Sequence, residues 1–252
     1  MSDDSKTRFS DRVGNYVRYR PGYPDELFGY LESELRLEPH GTIADIGSGT
    51  GLSSLGFLKR CHRVIGVEPN KPMRMAAKSF LGSYELFESV DGSADATGLE
   101  SRSVDAVFAG QSFHWFCNEE SAHEFLRILR PGGFVLIAWN ERLLNINRFH
   151  IEFEEILKRF GTDYEEIRHD KFYLNEIKDV FKTDFRVTEF DNKQTFDFKG
   201  LMGRVLSSSY MPSENSPMFD EMRENLESVF AVNQEKDRIS VLYKTKLFFC
   251  KF

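Results

Sequence analysis

The chain has 252 residues and a formal net charge of −7, and this length suits one large domain or one domain with an appended subdomain. The acidic balance disfavours a nucleic-acid partner, because binding to phosphates depends on clustered Lys and Arg side chains. Its three cysteines show no C-x-x-C spacing, which argues against a disulfide framework and a structural zinc site and favours free thiols in a reducing compartment.

The sequence shows no membrane segment. Its first twenty residues alternate charged and aromatic side chains and lack the apolar core of a signal peptide. No later segment approaches the run of about eighteen apolar residues that a membrane span requires. We therefore expect a soluble, cytoplasmic protein with no membrane partner and a small-molecule substrate. The sequence does not indicate an oligomeric state.

Between residues 42 and 139, short β-type runs alternate with helix-type segments, which is the pattern of a parallel sheet with helices on both faces. Apolar side chains at i, i+3, i+4 and i+7 from Ala122 predict an amphipathic helix, which the Pro-Gly-Gly at 131–133 ends. The runs typical of buried strands are 42–46, 63–68, 104–110 and 134–139, with a less regular one at 84–90.

Beyond residue 150 the apolar pattern becomes helical, first around Phe153 and again around Phe219. Two β-rich runs, 185–191 and 241–249, flank the second of these helices. They are separated by the mixed segment 197–235, and they predict an antiparallel pair of strands added to one edge of the sheet.

The stretch IADIGSGTGL, residues 43–52, places three glycines at alternate positions behind a short apolar run. Glycines there permit positive φ or a close approach to the backbone, and a strand, a glycine turn and a helix form the unit that binds nucleotide-type cofactors. A P-loop is disfavoured because the first basic residue after Gly51 is Lys59. A dinucleotide site is disfavoured because Leu52 stands where G-x-G-x-x-G requires its third glycine.

One acid precedes this turn and another follows the next strand. Asp45 lies two residues before the first glycine, where it would repel a pyrophosphate and suit a ligand with positive charge. S-adenosylmethionine fits this requirement, because it carries an ammonium, a sulfonium and an adenosine but no phosphate. Glu68 ends the second predicted strand, a place where a carboxylate accepts hydrogen bonds from ribose hydroxyls.

Three motifs together resemble the class I S-adenosylmethionine-dependent methyltransferases over about residues 40–140. They are D-x-G-x-G-x-G at 45–51, the acid Glu68 and LRPGGFVLIAW at 129–139. The resemblance implies an α/β, three-layer Rossmann-like fold with a seven-stranded, mostly parallel sheet and a reversed last strand. It also implies that the residues after strand three meet the adenine, although the acid that is usual at the place of Ser93 is missing.

The expected cofactor site also draws on the N-terminal segment. We expect Tyr16 and Tyr19 to fold over the cofactor, and Arg20 either to form a charge-assisted hydrogen bond with the methionine carboxylate or to be an ordinary surface arginine. The full set of expected cofactor-binding residues is Arg20, Asp45, Gly47, Ser48, Gly49, Gly51, Glu68, Pro69, Ser93, Ala94, Asp95 and Gln111.

A closer resemblance is to a bacterial and fungal subgroup similar to the trans-aconitate-type small-molecule methyltransferases. It rests on YVRYRPGYP at 16–24, GQSFHWF at 110–116, and SSSYMP at 207–212 followed by a late strand with YKTKLFF. The NPPY or DPPY motif, with which the family holds an exocyclic base amine, is absent. This absence agrees with a small-molecule acceptor and not with nucleic acid.

GQSFHWF lies at the carboxyl end of the predicted strand 104–110, which faces the reactive end of the cofactor in this architecture. His114 and Trp115 are therefore the candidate catalytic residues, and an aromatic cluster that only closes the core is the alternative. The same stretch nearly matches the G-x-S-x-G nucleophile elbow, but its last glycine is replaced and nothing marks Asp163 or His169 as triad partners. The remaining histidines show no metal-ligand spacing.

These features predict an enzyme that moves the methyl group of S-adenosylmethionine to a small-molecule acceptor, with a carboxylate oxygen as one candidate, and releases S-adenosylhomocysteine. A nicotinamide-dependent oxidoreductase and a non-catalytic S-adenosylmethionine-binding protein are the alternatives. We expect a single domain over residues 1–252, in which 1–24 form an N-terminal cap and 197–235 an inserted helical cap.

Overall fold

The computed structural model describes residues 18–162, 164 and 174–252, and these form one seven-stranded sheet covered by helices. Its strands are β1 (Thr42–Ile46), β2 (Arg63–Val67), β3 (Phe87–Val90), β4 (Val104–Gly110), β5 (Leu129–Arg142), β6 (Arg186–Phe196) and β7 (Ile239–Lys251). Its helices are α1 (Asp25–Ser33), α2 (Leu52–Leu58), α3 (Lys71–Leu81), α4 (Glu119–Ile128), α5 (Arg148–Phe160), α6 (Leu174–Phe181), α7 (Phe198–Leu206) and α8 (Phe219–Asn233). A 3₁₀ helix at Phe113–Trp115 follows β4.

The strand order is β3-β2-β1-β4-β5-β7-β6, and β1 to β5 are parallel. Because β1 pairs with both β2 and β4, the helices after β1 and β4 diverge there and leave a crevice at the carboxyl ends of the strands. The predicted strands 42–46 and 104–110 are confirmed. The less regular run 84–90 forms a strand only over Phe87–Val90.

β7 runs antiparallel between β5 and β6, which confirms the reversed last strand and the late antiparallel pair. β5 extends beyond the predicted 134–139 at both ends: it begins at Leu129, which pairs with Val104, and so includes the Pro-Gly-Gly, and at its other end Asn140, Glu141 and Arg142 pair with β7 residues 243–245. The ladder of backbone hydrogen bonds continues through these polar residues, which a hydrophobic pattern does not mark as a strand.

Successive side chains of β5 point to opposite faces of the sheet and join two separate cores. Val135 and Ile137 pack in the core that includes α4 and α6, whereas Leu136 and Ala138 pack in the core that includes α1 and α2. A third core, built by α5, α7, α8 and the adjoining ends of β6 and β7, lies beyond the carboxyl end of β5. None of the helices within the described ranges is long and apolar enough to cross a membrane.

Candidate functional site

Most of the predicted site residues follow three neighbouring strands whose carboxyl ends meet at one edge of the sheet. The glycine loop follows β1, Glu68 follows β2, and a short loop follows β4. Hydrogen bonds join these ends directly, since the Gly47 N–H donates to the Val67 carbonyl at 2.9 Å and the Ser112 hydroxyl donates to the Ile46 carbonyl at 2.9 Å. The topology therefore gathers the three segments into one crevice.

Each glycine of the loop serves a different purpose. All three have positive φ, from +55° to +85°, which other residues rarely adopt. A Cβ added to Gly47 would lie 2.8 Å from the Ser112 Cβ, and one added to Gly51 would lie 2.5 Å from Cδ1 of Leu81. Beside Gly49, by contrast, no described atom lies within 4 Å of an added Cβ. Gly49 is therefore the glycine that leaves open space for a ligand against the backbone.

Glu68 is largely buried and holds the glycine loop with its carboxylate. Its Oε2 accepts from the Gly49 N–H at 3.0 Å, and its Oε1 accepts from the Asn70 N–H at 2.8 Å. Burial raises the pKa of Glu68, although these N–H groups and the charge of Arg74 oppose the rise. Each carboxylate oxygen has two lone pairs, so Glu68 keeps acceptor capacity for ligand hydroxyls.

Asp45 is fully buried near the end of β1. Ser53 and Ser54 of α2 each donate to its Oδ2 at 2.6 Å, whereas its Oδ1 has no hydrogen-bond partner among the described residues. Burial raises the pKa of Asp45 to about 6; the serine hydroxyls oppose the rise, and the charge of Glu68 adds to it. At neutral pH the crevice thus contains a poorly solvated anion that a cationic ligand would stabilise.

Ser48 and Pro69 lie beside these acids. Ser48 is buried, and its N–H donates to the Val67 carbonyl at 3.3 Å. Pro69 is half-buried and stands before Asn70, whose side chain caps α3 by accepting from the Met73 N–H at 3.1 Å. Ser48 therefore helps to fix the glycine loop against β2, and Pro69 stands directly before the residue that caps α3.

The predicted adenine-contacting residues form a tight turn after β3. Ser93 and Ala96 exchange two backbone hydrogen bonds of 3.2 Å, so Ala94 and Asp95 form the tip of the turn. Ala94 is buried and Asp95 is exposed. The Glu68 N–H donates at 3.2 Å to the carbonyl of the last residue of β3, so the turn starts next to the crevice.

Gln111 and His114 lie after β4. Gln111 has a φ of +54°, and its Oε1 accepts from the Asn140 N–H at 2.7 Å, which ties this loop to β5. The His114 ring centroid lies 4.7 Å from that of Trp115 and 5.8 Å from that of Trp139. Both candidate catalytic residues thus lie in an aromatic cluster at the carboxyl end of β4.

The Ser112 side chain is used within the backbone framework. Its hydroxyl donates to the Ile46 carbonyl, and its backbone has φ −128° and ψ −25°. The hydrogen bond to a carbonyl does not favour the nucleophile-elbow alternative, which requires the hydroxyl to meet a histidine. Asp163 and His169 lie outside the described residues.

The N-terminal segment is fastened across β5 and β6 by side-chain amides. Asn140 and Asn192 both donate from Nδ2 to the Gly22 carbonyl, at 3.1 and 2.9 Å. Gln194 donates from Nε2 to the Tyr19 carbonyl at 3.0 Å. These three amides were not predicted from the sequence, where the only signal for them is polar residues inside otherwise regular strands.

Arg20 lies against the end of α7. Its Nη2 donates to the Ser207 carbonyl at 3.0 Å and to the Ser208 Oγ at 3.4 Å, and Nη1 of Arg204 reaches the same hydroxyl at 3.2 Å. A role for Arg20 at the methionine carboxylate stays a prediction. Tyr16, expected to act beside it, lies outside the described residues.

Histidines and cysteines of the described residues form no metal centre. No group of three or more His, Cys, Asp or Glu side chains among those residues is arranged to hold a metal ion. Cys61, Cys117 and Cys250 are free thiols. The His150 ring is fully buried, and its Nε2 accepts from the Leu242 N–H at 3.1 Å, which gives this histidine a structural place.

The charge of Asp45 predicts a pH-dependent effect of Asp45→Asn on stability. Since the folded pKa of about 6 exceeds the ordinary 3.8, the folded chain binds more protons between these pH values, and its free energy of unfolding falls as pH rises through them. Asp45→Asn removes this loss, so its stability relative to wild type is expected to rise by about 2 kcal/mol from pH 4 to pH 7.5.

Urea unfolding at a series of pH values measures this difference. The matched control is Asp91→Asn, which removes an exposed carboxylate just after β3 and is expected to show no such rise. A stability difference between Asp45→Asn and wild type that stays constant from pH 4 to pH 7.5 would contradict the assignment of a buried, poorly solvated charge to Asp45.

Residues 44–137 match the family model described as a methyltransferase domain. An uncharacterised methyltransferase of Schizosaccharomyces pombe is 34% identical over 141 residues, which cover 53% of this chain and 53% of that protein. One of Mycobacterium tuberculosis is 32% identical over 139 residues, which cover 55% of this chain and 54% of that protein. The chain thus spans about half the length of the curated relatives it matches.

Solved structures share the fold over most of the chain. A proposed type II methyltransferase from Anaeromyxobacter dehalogenans has a TM-score of 0.66 and 20% identity, covering 92% of this chain and 98% of that one. Phosphoethanolamine N-methyltransferase 2 of Haemonchus contortus, in complex with S-adenosylhomocysteine, has a TM-score of 0.55 and 16% identity, covering 98% and 58%. The chain therefore has a Rossmann-like methyltransferase fold, and its residues 44–137 match a methyltransferase-domain family model.

Proposed function

We propose that this chain transfers the methyl group of S-adenosylmethionine to a small-molecule acceptor and releases S-adenosylhomocysteine. The observation that carries the proposal is the buried Asp45 carboxylate, whose Oδ1 has no hydrogen-bond partner among the described residues. Asp45 lies just before the glycine loop. The backbone of that loop borders open space at Gly49, and the Gly49 N–H donates to a second acid, Glu68. A crevice of this charge suits a cationic, phosphate-free ligand.

The donor and acceptor groups of the crevice fit S-adenosylmethionine. When bound, this cofactor supplies a methyl group activated on a sulfonium. Asp45 would stabilise the positive charge of its methionine part, and the remaining lone pairs of Glu68 would accept from the ribose hydroxyls. The turn at 93–95 would meet the adenine. The S-adenosylhomocysteine held by the Haemonchus contortus neighbour supports this choice of ligand class.

The acceptor would lie against the aromatic cluster after β4. His114 and Trp115 would form its near wall, with the buried Trp139 behind them. Methyl transfer requires the acceptor atom in line with the leaving group, and orientation of this kind is worth roughly 7–11 kcal/mol in well-aligned systems. The chain therefore needs a shaped, dry pocket more than a reactive side chain. Gln111, tied to β5, would fix the loop that carries this wall.

One cationic side chain at the carboxyl end of β5, Arg142, favours an anionic acceptor, and we propose a carboxylate oxygen as the atom that is methylated. Arg142 is 11% exposed, is paired with Glu154, and has no hydrogen-bond partner for its Nη1 among the described residues. Guanidinium groups bind carboxylates with good geometry. A carboxylate is also ionised near neutral pH, so its methylation needs no general base.

Two segments would enclose this pocket as caps of a single domain. The described part of 1–24 lies on β5 and β6 through the Gly22 carbonyl. The inserted segment 197–235 contributes α7 and α8 to the third core, beyond the carboxyl end of β5. A pocket enclosed on both sides would exclude water from the reacting groups. The kinship with the trans-aconitate-type subgroup stays a prediction.

Cofactor binding is tested by calorimetric titration of S-adenosylmethionine into wild type and Glu68→Ala. Loss of hydrogen bonds to a charged acceptor costs roughly 1.5–3 kcal/mol, so the variant should bind about ten- to a hundredfold more weakly. Glu88→Ala, which removes an exposed carboxylate from β3, is the matched control and should bind as wild type does. Equal affinity of Glu68→Ala would remove Glu68 from the site, and no binding by wild type would overturn the proposed function.

The role of His114 is tested once an acceptor has been found by screening small molecules for S-adenosylhomocysteine production. A carboxylate acceptor gives no proton to remove, so the reaction does not need His114 as a base. The turnover rate should then show no acidic limb near pH 6–7, and His114→Gln should keep most of the activity.

His123→Gln is the control for that variant, because His123 is exposed on α4. An acidic limb in wild type that disappears in His114→Gln together with at least a hundredfold of rate would identify His114 as a general base. The acceptor would then be a hydroxyl or an amine, contrary to the proposed carboxylate.

A further inference from the structure

The turn after β3 is fastened to α4 by one buried acid, Glu124, which is 9% exposed. Glu124 Oε1 accepts from the Thr97 N–H at 2.9 Å and also from the Thr97 hydroxyl. Thr97 is fully buried, and its hydroxyl oxygen in turn accepts from the Leu99 N–H at 3.2 Å. A single carboxylate therefore binds both hydrogen-bond donors of Thr97, its N–H and its hydroxyl.

Arg127, one helical turn along α4, completes this arrangement. Its Nε donates to Glu124 Oε2 at 2.6 Å and its Nη2 to Glu124 Oε1 at 2.8 Å, a two-pronged pair of the strong kind. The same Nη2 donates to the Leu99 carbonyl at 2.7 Å, and Nη1 donates to the Ser101 hydroxyl at 3.0 Å. Glu124 and Arg127 thus both bind the segment 97–101, which follows the turn.

The charge on Glu124 persists at neutral pH. Burial by itself would raise the pKa of Glu124, but hydrogen bonds from Arg127 and Thr97 outweigh it and hold the pKa below its ordinary value. The Arg127 side chain is 40% exposed, so the ion pair is buried only on the Glu124 side. Both Glu124 oxygens are hydrogen-bonded, and removal of Arg127 would leave a mostly buried carboxylate without its cation. The three side chains, Thr97, Glu124 and Arg127, are called the loop clamp below.

The loop clamp acts on a turn that is itself tightly closed. Ser93 and Ala96 are bridged by two hydrogen bonds, and a Cβ added to Gly92 would lie 2.8 Å from the Thr97 carbonyl oxygen. With so little space, a shift of Thr97 would be passed directly to the tip at Ala94 and Asp95. The position of the backbone groups at that tip therefore depends on the clamp.

We propose that Thr97, Glu124 and Arg127 are positioning residues, which set the turn 93–96 so that its backbone reads the base edge of the adenosyl cofactor. The inference rests on the proposed function and adds to it the groups that determine base selectivity. Adenine presents an amine donor and a ring-nitrogen acceptor on that edge, whereas hypoxanthine presents the reverse pattern. A turn held in one place accepts the first pattern and rejects the second.

Calorimetric affinities for S-adenosylhomocysteine and for S-inosylhomocysteine, its hypoxanthine analogue, test the proposal. Wild type should bind the adenosyl compound at least about tenfold more tightly, because one mismatched buried hydrogen bond costs about that factor in affinity. Thr97→Val keeps the shape of the side chain and the N–H bond to Glu124 but removes the hydroxyl. It should lower the preference to less than about threefold, mainly by weakening adenosyl binding about tenfold.

Two variants serve as matched controls. Thr97→Ser retains the hydroxyl and should keep both the affinity and the preference of wild type. Ser101→Ala removes only the outer contact of Arg127 and should also leave both unchanged. If Thr97→Val fails to fold, Glu124→Gln is measured in the same way, with the same loss of preference expected.

The outcomes separate this proposal from the proposed function. If Thr97→Val, or Glu124→Gln in its place, binds both compounds more weakly but with an unchanged preference, the clamp is only structural and the proposal is wrong. If the variant binds both compounds with the affinity of wild type, the proposal is also wrong. In either case the binding of S-adenosylhomocysteine by wild type leaves the proposed function intact. If wild type binds neither compound, the proposed function itself fails.

Discussion

Asp45 carries its charge near the end of a buried strand, where water does not reach it and two serine hydroxyls bind the same oxygen. Such an arrangement is unfavourable for an empty protein, because burial without full pairing disfavours the ionised form. It becomes favourable once a cation occupies the crevice. The charge of the site, the open space at Gly49 and the second acid at Glu68 all fit the binding of a cation in the crevice.

The order of the strands in the sheet creates the crevice in which this cation would bind. Strands are added to both sides of β1, so the ends of β1, β2 and β4 converge and their loops share hydrogen bonds. The antiparallel β7 then extends the sheet and pairs with the polar end of β5, which carries Asn140 and Arg142. Asn140 anchors the N-terminal segment, and Arg142 supplies a cation on the side where we propose that the acceptor lies.

The sequence predicted the parts of the fold that depend on local patterns. The alternation of apolar strand runs with helical segments predicted the α/β class, the late β-rich runs predicted an antiparallel pair, and the family resemblance implied the reversed last strand, all of which the structure confirms. The carboxyl ends of parallel strands share one edge, so residues placed there by the sequence were placed together in space. The polar ends of β5 and β6 were not predicted, because ladder hydrogen bonds extend a strand regardless of hydrophobicity.

Contacts between side chains that are distant in sequence could not be predicted from the sequence patterns. Nothing local shows that Ser53 and Ser54 bind Asp45, or that Glu124 reaches Thr97, 27 residues away. The guanidinium of Arg20 lies at Ser207 and Ser208, a contact that depends on where the inserted helix α7 packs. Such partners are set by the three-dimensional arrangement, and no pattern of residue types along the chain indicates them.

The number of protons released when S-adenosylhomocysteine binds at pH 6 tests the central claim most directly. With a pKa of about 6, Asp45 is about half protonated in the free protein, and a bound ammonium would lower that pKa and release the proton. Calorimetry in buffers of different ionisation enthalpy should therefore count about half a proton more for wild type than for Asp45→Asn. Equal proton counts for the two proteins would contradict the assignment of Asp45 as the anion that receives the cofactor's charge.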